Sequence, residues 1–239
     1  MSSGKLKCAI TLRGHIRDGF TNNDLNKFIL ALSSIYDLDV YCQTWHENEA
    51  KKSYRALNRQ NISCVTPEII RKYFSYPITD IKIQKETDFR IKGRWKGNVS
   101  RTPMPIINWK YMLRGMLNAT EMCLNKQYDL VINTRYDFFT RFGENSEFKN
   151  NICPKKYSNN DLVKQLKNFD PNKVNWLVES TSGPYKWCID NFYFGTQDKL
   201  HELNLFMIND IDILLKEIRG VPYQEHYFWE AQQFLQKQK

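Results

Sequence analysis

Residues 7–45, KCAITLRGHIRDGFTNNDLNKFILALSSIYDLDVYCQTW, decide the fold class. Lys7 to Leu12 form a short apolar run that stops at Arg13-Gly14. Over residues 21–36, Leu25, Phe28, Ile29, Leu32 and Ile35 recur at helical spacing. Thr21-Asn22-Asn23-Asp24 supplies cap residues and an acid at the start of that helix, where backbone N–H groups lack partners. Asp39 to Trp45 reads as a second strand. Strand, amphipathic helix and strand make a βαβ unit, which calls for a parallel sheet with a right-handed crossover.

Downstream, Pro67-Glu68-Ile69-Ile70 opens a short helix with proline in its first turn. Residues 80–84 read as a strand, and 85–105, rich in Lys, Arg and Gly, as an exposed loop. A helix is expected from about Pro105 to Lys126, with Trp109, Leu113, Met116, Leu117, Thr120, Cys123 and Leu124 on one face. The run Tyr128 to Phe139 follows, and its Leu130-Val131-Ile132 core marks a central strand buried on both faces. Residues 141–175 are polar and read as a long irregular connection, the kind that is usually functional or mobile. Trp176 to Glu179 and Asn191 to Phe194 read as later strands, 197–218 as one long helix, and 223–236 as a last helix. The fold class expected is α/β, with a mostly parallel sheet flanked by helices.

A chain of 239 residues and 28.5 kDa suits one α/β domain or at most two very small ones. Such a globule buries roughly 70–75% of its unfolded surface and needs no disulfide or zinc staple. With 41% hydrophobic, 14% aromatic and 26% charged residues it reads as globular, which excludes the disordered, collagenous and coiled-coil classes. No run approaches the ~20 apolar residues of a membrane span, and the start lacks a signal-peptide core with a cleavage site. A secreted or membrane-spanning protein is therefore not expected; a cytoplasmic one is. The six cysteines form no C-x-x-C pair, and four of them sit among apolar neighbours as reduced core thiols do. The excess of 35 Lys and Arg over 26 Asp and Glu, net +9, favours anionic partners.

Polar groups interrupt the apolar pattern at strand ends, where open α/β sheets place their ligands. After the first strand, Gly14 permits a tight turn while Arg13 and Arg17 can face a diphosphate; an ordinary turn with solvated arginines is the alternative. This is neither the G-x-G-x-x-G dinucleotide pattern nor a P-loop. At the end of the second strand, Trp45 would flank a nucleobase or cap the core, with His46 and Glu47 as solvated neighbours. Arg135-Tyr136-Asp137 closes the central strand. One carboxylate plus substrate phosphate oxygens is a common way to hold Mg²⁺ or Mn²⁺, and the duller reading of Asp137 is a salt bridge with its neighbouring arginine. Asp190 is a candidate general base or a simple turn residue. Glu225 and His226, at the start of the last helix, are further candidates for the same cleft or a structural pair.

CAITLRGHIR at 8–17, DVYCQTW at 39–45, YDLVINTRYDFF at 128–139 and DNFYFG at 190–195 together resemble a group of glycosyltransferases. That group comes from capsule and surface-polysaccharide loci and from large DNA viruses. It shows G-[QH]-x-R after the first strand, D-V-[FY]-x-x-x-W, an R-x-D strand end and a D-x-F-x-x-G segment. The resemblance spans about residues 8–230. It implies a single Rossmann-like GT-A domain over 1–239, with a nucleotide-binding part about 1–140 and an acceptor part about 141–239. It further implies a UDP- or GDP-sugar donor on Arg13, Gly14, Arg17, Trp45, Arg135 and Asp137, with Mn²⁺ or Mg²⁺ at Asp137 and a glycan acceptor near Asp190. Where such enzymes carry D-x-D, this chain has Arg135-Tyr136-Asp137, so an arginine replaces the first aspartate. A viral member would act in the host cytoplasm.

Two other functions fit the same composition. Net charge and the aromatics Phe89 and Trp95 within the basic loop suggest a nucleic-acid-binding module, although no RRM, helix-turn-helix, KH or zinc-finger signature is present. A catalytically inactive nucleotide-sugar-binding scaffold is the third.

Overall fold

A computed structural model describes residues 4–49, 63–102, 104–144, 156–180, 186–221 and 224–237. In chain order the elements are β1 (Lys7–Arg13), α1 (Asp24–Ile35), β2 (Asp37–Trp45), α2 (Pro67–Tyr73), β3 (Asp80–Gln84), α3 (Ile106–Glu121), β4 (Leu130–Arg135) and α4 (Phe138–Phe142). They continue as α5 (Asn159–Lys167), β5 (Asn175–Trp176), β6 (Glu179–Ser180), β7 (Trp187–Cys188), β8 (Phe192–Gly195), α6 (Gln197–Asn209), α7 (Ile211–Glu217) and α8 (His226–Lys237).

Six strands form one sheet in the order β3-β2-β1-β4-β8-β5. The pairs β1–β2, β2–β3 and β1–β4 are parallel, and β8 runs antiparallel to both β4 and β5. β6 and β7 make a separate two-stranded sheet. The sheet is thus mostly parallel, as the βαβ pattern of residues 7–45 requires.

Strand side chains alternate between two apolar layers. On one face Cys8, Ile10 and Leu12 of β1 and Leu130 and Ile132 of β4 pack with Leu25, Phe28, Ile29 and Leu32 of α1, Ile70 of α2, Phe138 and Phe139 of α4, and Leu162 and Leu166 of α5. On the other, Ala9 and Val131 pack with Trp109, Leu113 and Met116 of α3, Leu200 and Leu203 of α6, Leu214 of α7 and Phe228 of α8. The chain therefore covers β1 to β3 with helices on one face, crosses the opposite face with α3, and returns to place β4 beside β1.

Several boundaries differ from the sequence expectation. The expected helix over 105–126 ends at Glu121, where Cys123 and Leu124 bond back to Thr120 and Glu121 in tight i to i+3 turns. The central strand stops at Arg135, because Phe138, Phe139 and Phe142 recur at helical spacing and pack as α4. The 141–175 connection contains α5, capped by Ser158, whose hydroxyl accepts from the Asp161 N–H at 3.2 Å while the Asp161 carboxylate accepts in return. The single helix expected over 197–218 breaks at Asp210, which ends α6 and starts α7. Asn209 and Asp210 favour such breaks because short polar side chains compete for backbone hydrogen bonds. The strand expected at 176–179 is split, with Trp176 in the main sheet and Glu179 in the small one.

Cys8, Cys42, Cys123 and Cys188 are buried free thiols, Cys64 is exposed, and Cys153 lies outside the described residues. Burial pushes the Cys42 and Cys123 thiols up to about 12. Among the described residues no helix is long and apolar enough to cross a membrane.

Candidate functional site

The parallel strands β1, β2, β3 and β4 end together at Arg13, Trp45, Gln84 and Arg135, and β8 begins at the same edge just after Asp190-Asn191. The sheet order makes the gap between β1 and β4 a switch point, since β1 leads out towards β2 and β4 is reached from the opposite face. Ligands of open α/β sheets occupy the crevice beyond the carboxyl ends at such a point.

Register sets two arginines side by side there. Arg13 and Arg135 are Cα partners across the β1–β4 pair, so both side chains leave the same face of the sheet. Adjacent like charges repel, and their neighbours decide whether the pair is tolerated. Arg13 is 1% exposed; its Nε donates to Asn133 Oδ1 at 2.6 Å, a terminal nitrogen donates to the Asp190 carbonyl, and the guanidinium lies 5.8 Å from the Tyr193 ring centre. Burial lowers the Arg13 guanidinium from its ordinary value, with Arg135 adding to that and Tyr193, Asp190 and Asp137 opposing it. Arg13 thus ties β1 to the start of β8, rather than standing open to a phosphate as the turn alone suggests.

Asp137 is the counter-ion of this edge. It is 1% exposed, and Arg135 grips it with two nitrogens, Nε donating to Oδ1 at 2.7 Å and a terminal nitrogen to Oδ2. Arg17 Nη1 donates to Oδ2 at 3.2 Å, and Arg141 Nε lies 3.0 Å from the same oxygen. Burial alone would raise the Asp137 carboxyl; the guanidiniums of Arg135, Arg17 and Arg141 outweigh it and hold the group well below the usual carboxylate range. Arg135 also donates to Asn191 Oδ1 at 2.9 Å, and Arg17 to Glu49 Oε1 at 3.0 Å.

The loop after β1 aims Arg17 into this group. Gly14 has φ +86°, which a side chain would resist, and Arg17 itself has φ +52°. The loop is pinned by Gly14 N–H to Gln43 Oε1 at 3.2 Å, Thr44 Oγ1 to the Gly14 carbonyl at 2.9 Å, and Arg17 N–H to the Asn48 carbonyl at 2.8 Å. Gly19 presses against the backbone of Tyr136, where a Cβ would come within 2.7 Å of the carbonyl carbon. That close approach sets the loop directly against the turn carrying Asp137.

Asp190 lies beside Arg13 at 2% exposure, and among the described residues its Oδ2 has no hydrogen-bond partner. Unpaired buried oxygens are rare in folded proteins, and Asp190 Oδ2 retains the capacity to accept a hydrogen bond. Trp45 shares the edge but is 3% exposed, with Phe89 and Tyr111 edge-on to its ring at 5.9 and 6.1 Å. It caps the core, and a nucleobase would have to displace one of those rings. His226 donates to the Lys186 carbonyl, lies 3.3 Å from Glu230 and stacks on Trp229, while Glu225 accepts from the Cys188 N–H through its carbonyl at 3.5 Å. His226 opens α8, Glu225 immediately precedes it, and both lie beside β7.

A scan of protein-family models finds no match to this chain, and a search of curated protein sequences finds none either.

The sequence reading missed Arg141, Glu49 and Asn133. Arg141 was accessible in principle, since Asp137 and Arg141 are four apart once 138–142 is read as a helix. Asn133 is a polar interruption of the Leu130-Val131-Ile132 run, which is itself a signal. Glu49 gives none, because its meeting with Arg17 depends on how the chain returns after β2.

A divalent cation at Asp137 does not fit this donor set. Both carboxylate oxygens already accept from guanidiniums. A cation at Asp137 would meet the repulsion of three guanidiniums already bound to that carboxylate, and unit charges 4 Å apart interact by about 4 kcal/mol at an effective dielectric near 20. The structure thus favours the salt-bridge reading of Asp137 over the metal-ligand one.

Proposed function

We propose that the chain is a glycosyltransferase with a GT-A-like arrangement, taking a sugar from a UDP- or GDP-sugar and passing it to a glycan hydroxyl. The observation that carries this reading is the cluster of Arg17, Arg135 and Arg141 around the buried Asp137 at the switch point, with Arg13 registered beside Arg135. Glycosyl transfer builds negative charge on the departing diphosphate, and preorganised guanidiniums stabilise such charge without rearranging at the moment of reaction. Arg17, Arg135 and Arg141 serve that end of the donor.

Asp190 serves the acceptor. Its unpartnered Oδ2 takes the proton of the acceptor hydroxyl as that oxygen bonds to the anomeric carbon and the bond from carbon to the diphosphate oxygen breaks. Arg13, holding the Asp190 carbonyl, keeps the carboxylate in place. Transfer from UDP- and GDP-sugars to mixed glycan acceptors tests the reading. Asp190→Asn should lower transfer by roughly 100-fold or more while leaving donor binding near that of the parent. A parent-like rate rules Asp190 out, and absence of turnover with every donor favours an inactive binding scaffold.

One observation favours a second reading. Arg90, Lys92, Arg94, Trp95 and Lys96 are all exposed on the loop after β3, with Lys96 Nζ 5.0 Å from the Trp95 ring centre. A basic strip with an aromatic platform suits single-stranded nucleic acid, and a steep loss of oligonucleotide affinity with salt would support it.

A further inference from the structure

We infer that this site takes the diphosphate of its ligand on guanidiniums alone, with Arg17, Arg135 and Arg141 doing the work of a divalent cation and Asp137 acting as their fixed counter-ion. The identity of the ligand as a nucleotide-sugar rests on the function proposed above; the anion site rests on geometry. Four guanidiniums, those of Arg13, Arg17, Arg135 and Arg141, gather with three carboxylates, those of Asp137, Glu49 and Asp190. The guanidiniums of Arg17, Arg135 and Arg141 reach the surface of this group, where a diphosphate brings negative charge.

Exposure gives the direction of approach. The Asp137 side chain is 1% exposed, whereas those of Arg17, Arg135 and Arg141 are 17, 13 and 14% exposed. An ion entering the crevice meets guanidinium edges before it meets the carboxylate. An anion is drawn in, and a cation is turned away from the Asp137 carboxylate. Arg135 grips Asp137 with two nitrogens and Arg17 is held by Glu49 and by its own backbone at Asn48, so the cluster is ordered before a ligand arrives. Preorganisation of this kind lowers the cost of binding, because the side-chain freedom is already lost.

The test is isothermal titration of the full chain with UDP, GDP and inorganic pyrophosphate, in excess EDTA and again in excess Mn²⁺ or Mg²⁺, with Mn²⁺ alone as a further titrant. Binding in EDTA within about threefold of that in metal is expected, with no heat from Mn²⁺ alone. Arg17→Gln and Arg141→Gln should each weaken binding by roughly 10-fold or more, the scale of one charge-assisted hydrogen bond. Arg17→Lys, which keeps the charge at a partly exposed position, should recover part of that loss, and circular dichroism checks that each variant is folded. Binding that appears only with metal, or Mn²⁺ binding that Asp137→Asn abolishes, overturns the inference while leaving a metal-dependent transferase standing. Pyrophosphate and nucleotide bound in EDTA with no sugar transferred does the reverse. No binding of any titrant under either condition overturns the anion site itself.

Discussion

Removing the charge of Asp137 would leave Arg17, Arg135 and Arg141 facing one another in a buried recess. Losing one partner of a buried ionic group typically costs about 3–5 kcal/mol, because the remaining charges keep their desolvation penalty without compensation. Asp137→Asn should therefore lower the unfolding free energy by about that amount at neutral pH, read from urea denaturation. The pH dependence follows from the depressed folded-state carboxyl. Its contribution is fully present above the unfolded pKa of about 3.9 and is lost as pH falls from there towards the lower folded value. The stability gap between parent and variant should hold from about pH 7 to about pH 5 and narrow progressively below about pH 4; a gap that stays constant down to about pH 2 contradicts the assignment. The thiols provide a separate check. Cys8, Cys42, Cys123 and Cys188 are buried, with their thiols raised by desolvation, whereas Cys64 is exposed. Mass mapping after brief thiol alkylation of the native protein should find Cys64 labelled and those four unlabelled until denaturant is added. Rapid native labelling of Cys42 would contradict its burial.

Elements were legible in the sequence where apolar period and burial agree. The helix α1 shows Leu25, Phe28, Ile29 and Leu32 at helical spacing, and these are the residues it buries. The ends of β1 and β4 and the start of β8 were legible as polar stops, which put Arg13, Gly14, Arg17, Arg135, Asp137 and Asp190 among the candidates for one edge. Legibility failed where a local polar pair overrides an apolar period, as at Asn209-Asp210, and where an apolar run changes period without a break, as at Tyr136 to Phe139. The loop after β1 shows the limit best, since nothing local says that Gly19 must lie on the backbone of Tyr136. There a Cβ would approach the Tyr136 carbonyl carbon and oxygen at 2.7 Å and the Ile16 carbonyl oxygen at 2.8 Å. Backbone cannot rotate away as a side chain can, so Gly19→Ala should destabilise by about 1–3 kcal/mol, the range for overpacking. It should also weaken diphosphate binding, because Arg17 rides on the displaced loop. Parent-like stability and affinity in that variant would show that the loop has slack.

The meeting of Arg13 with Arg135 is a property of the whole molecule. It depends on β4 lying beside β1, and residues 14–134 intervene between the two side chains. No local pattern carries that information, which is why both arginines were legible as candidates but not as a registered pair. The same topology binds the later strand β8 into the sheet begun by β1. Thr134 pairs with Phe192 and Val131 with Gly195 across β4 and β8, and Arg13 reaches over to the Asp190 carbonyl. The helices α6, α7 and α8 close the apolar layer that begins on α3, through Trp109 against Tyr227 and Phe228. A fragment of residues 1–140 would expose the edge of β4 along its whole length and one face of α3. Unpaired edges and uncovered apolar faces are what drive association of partly folded chains. That fragment should therefore fail to fold alone, giving weak far-UV circular dichroism and aggregating on refolding. The full chain should unfold in one transition, with tryptophan fluorescence and far-UV circular dichroism coinciding in urea. A 1–140 fragment with native-like circular dichroism and diphosphate affinity would mean instead that the half proposed to bind the nucleotide is autonomous, and that β8 and Asp190 are additions to a site already complete.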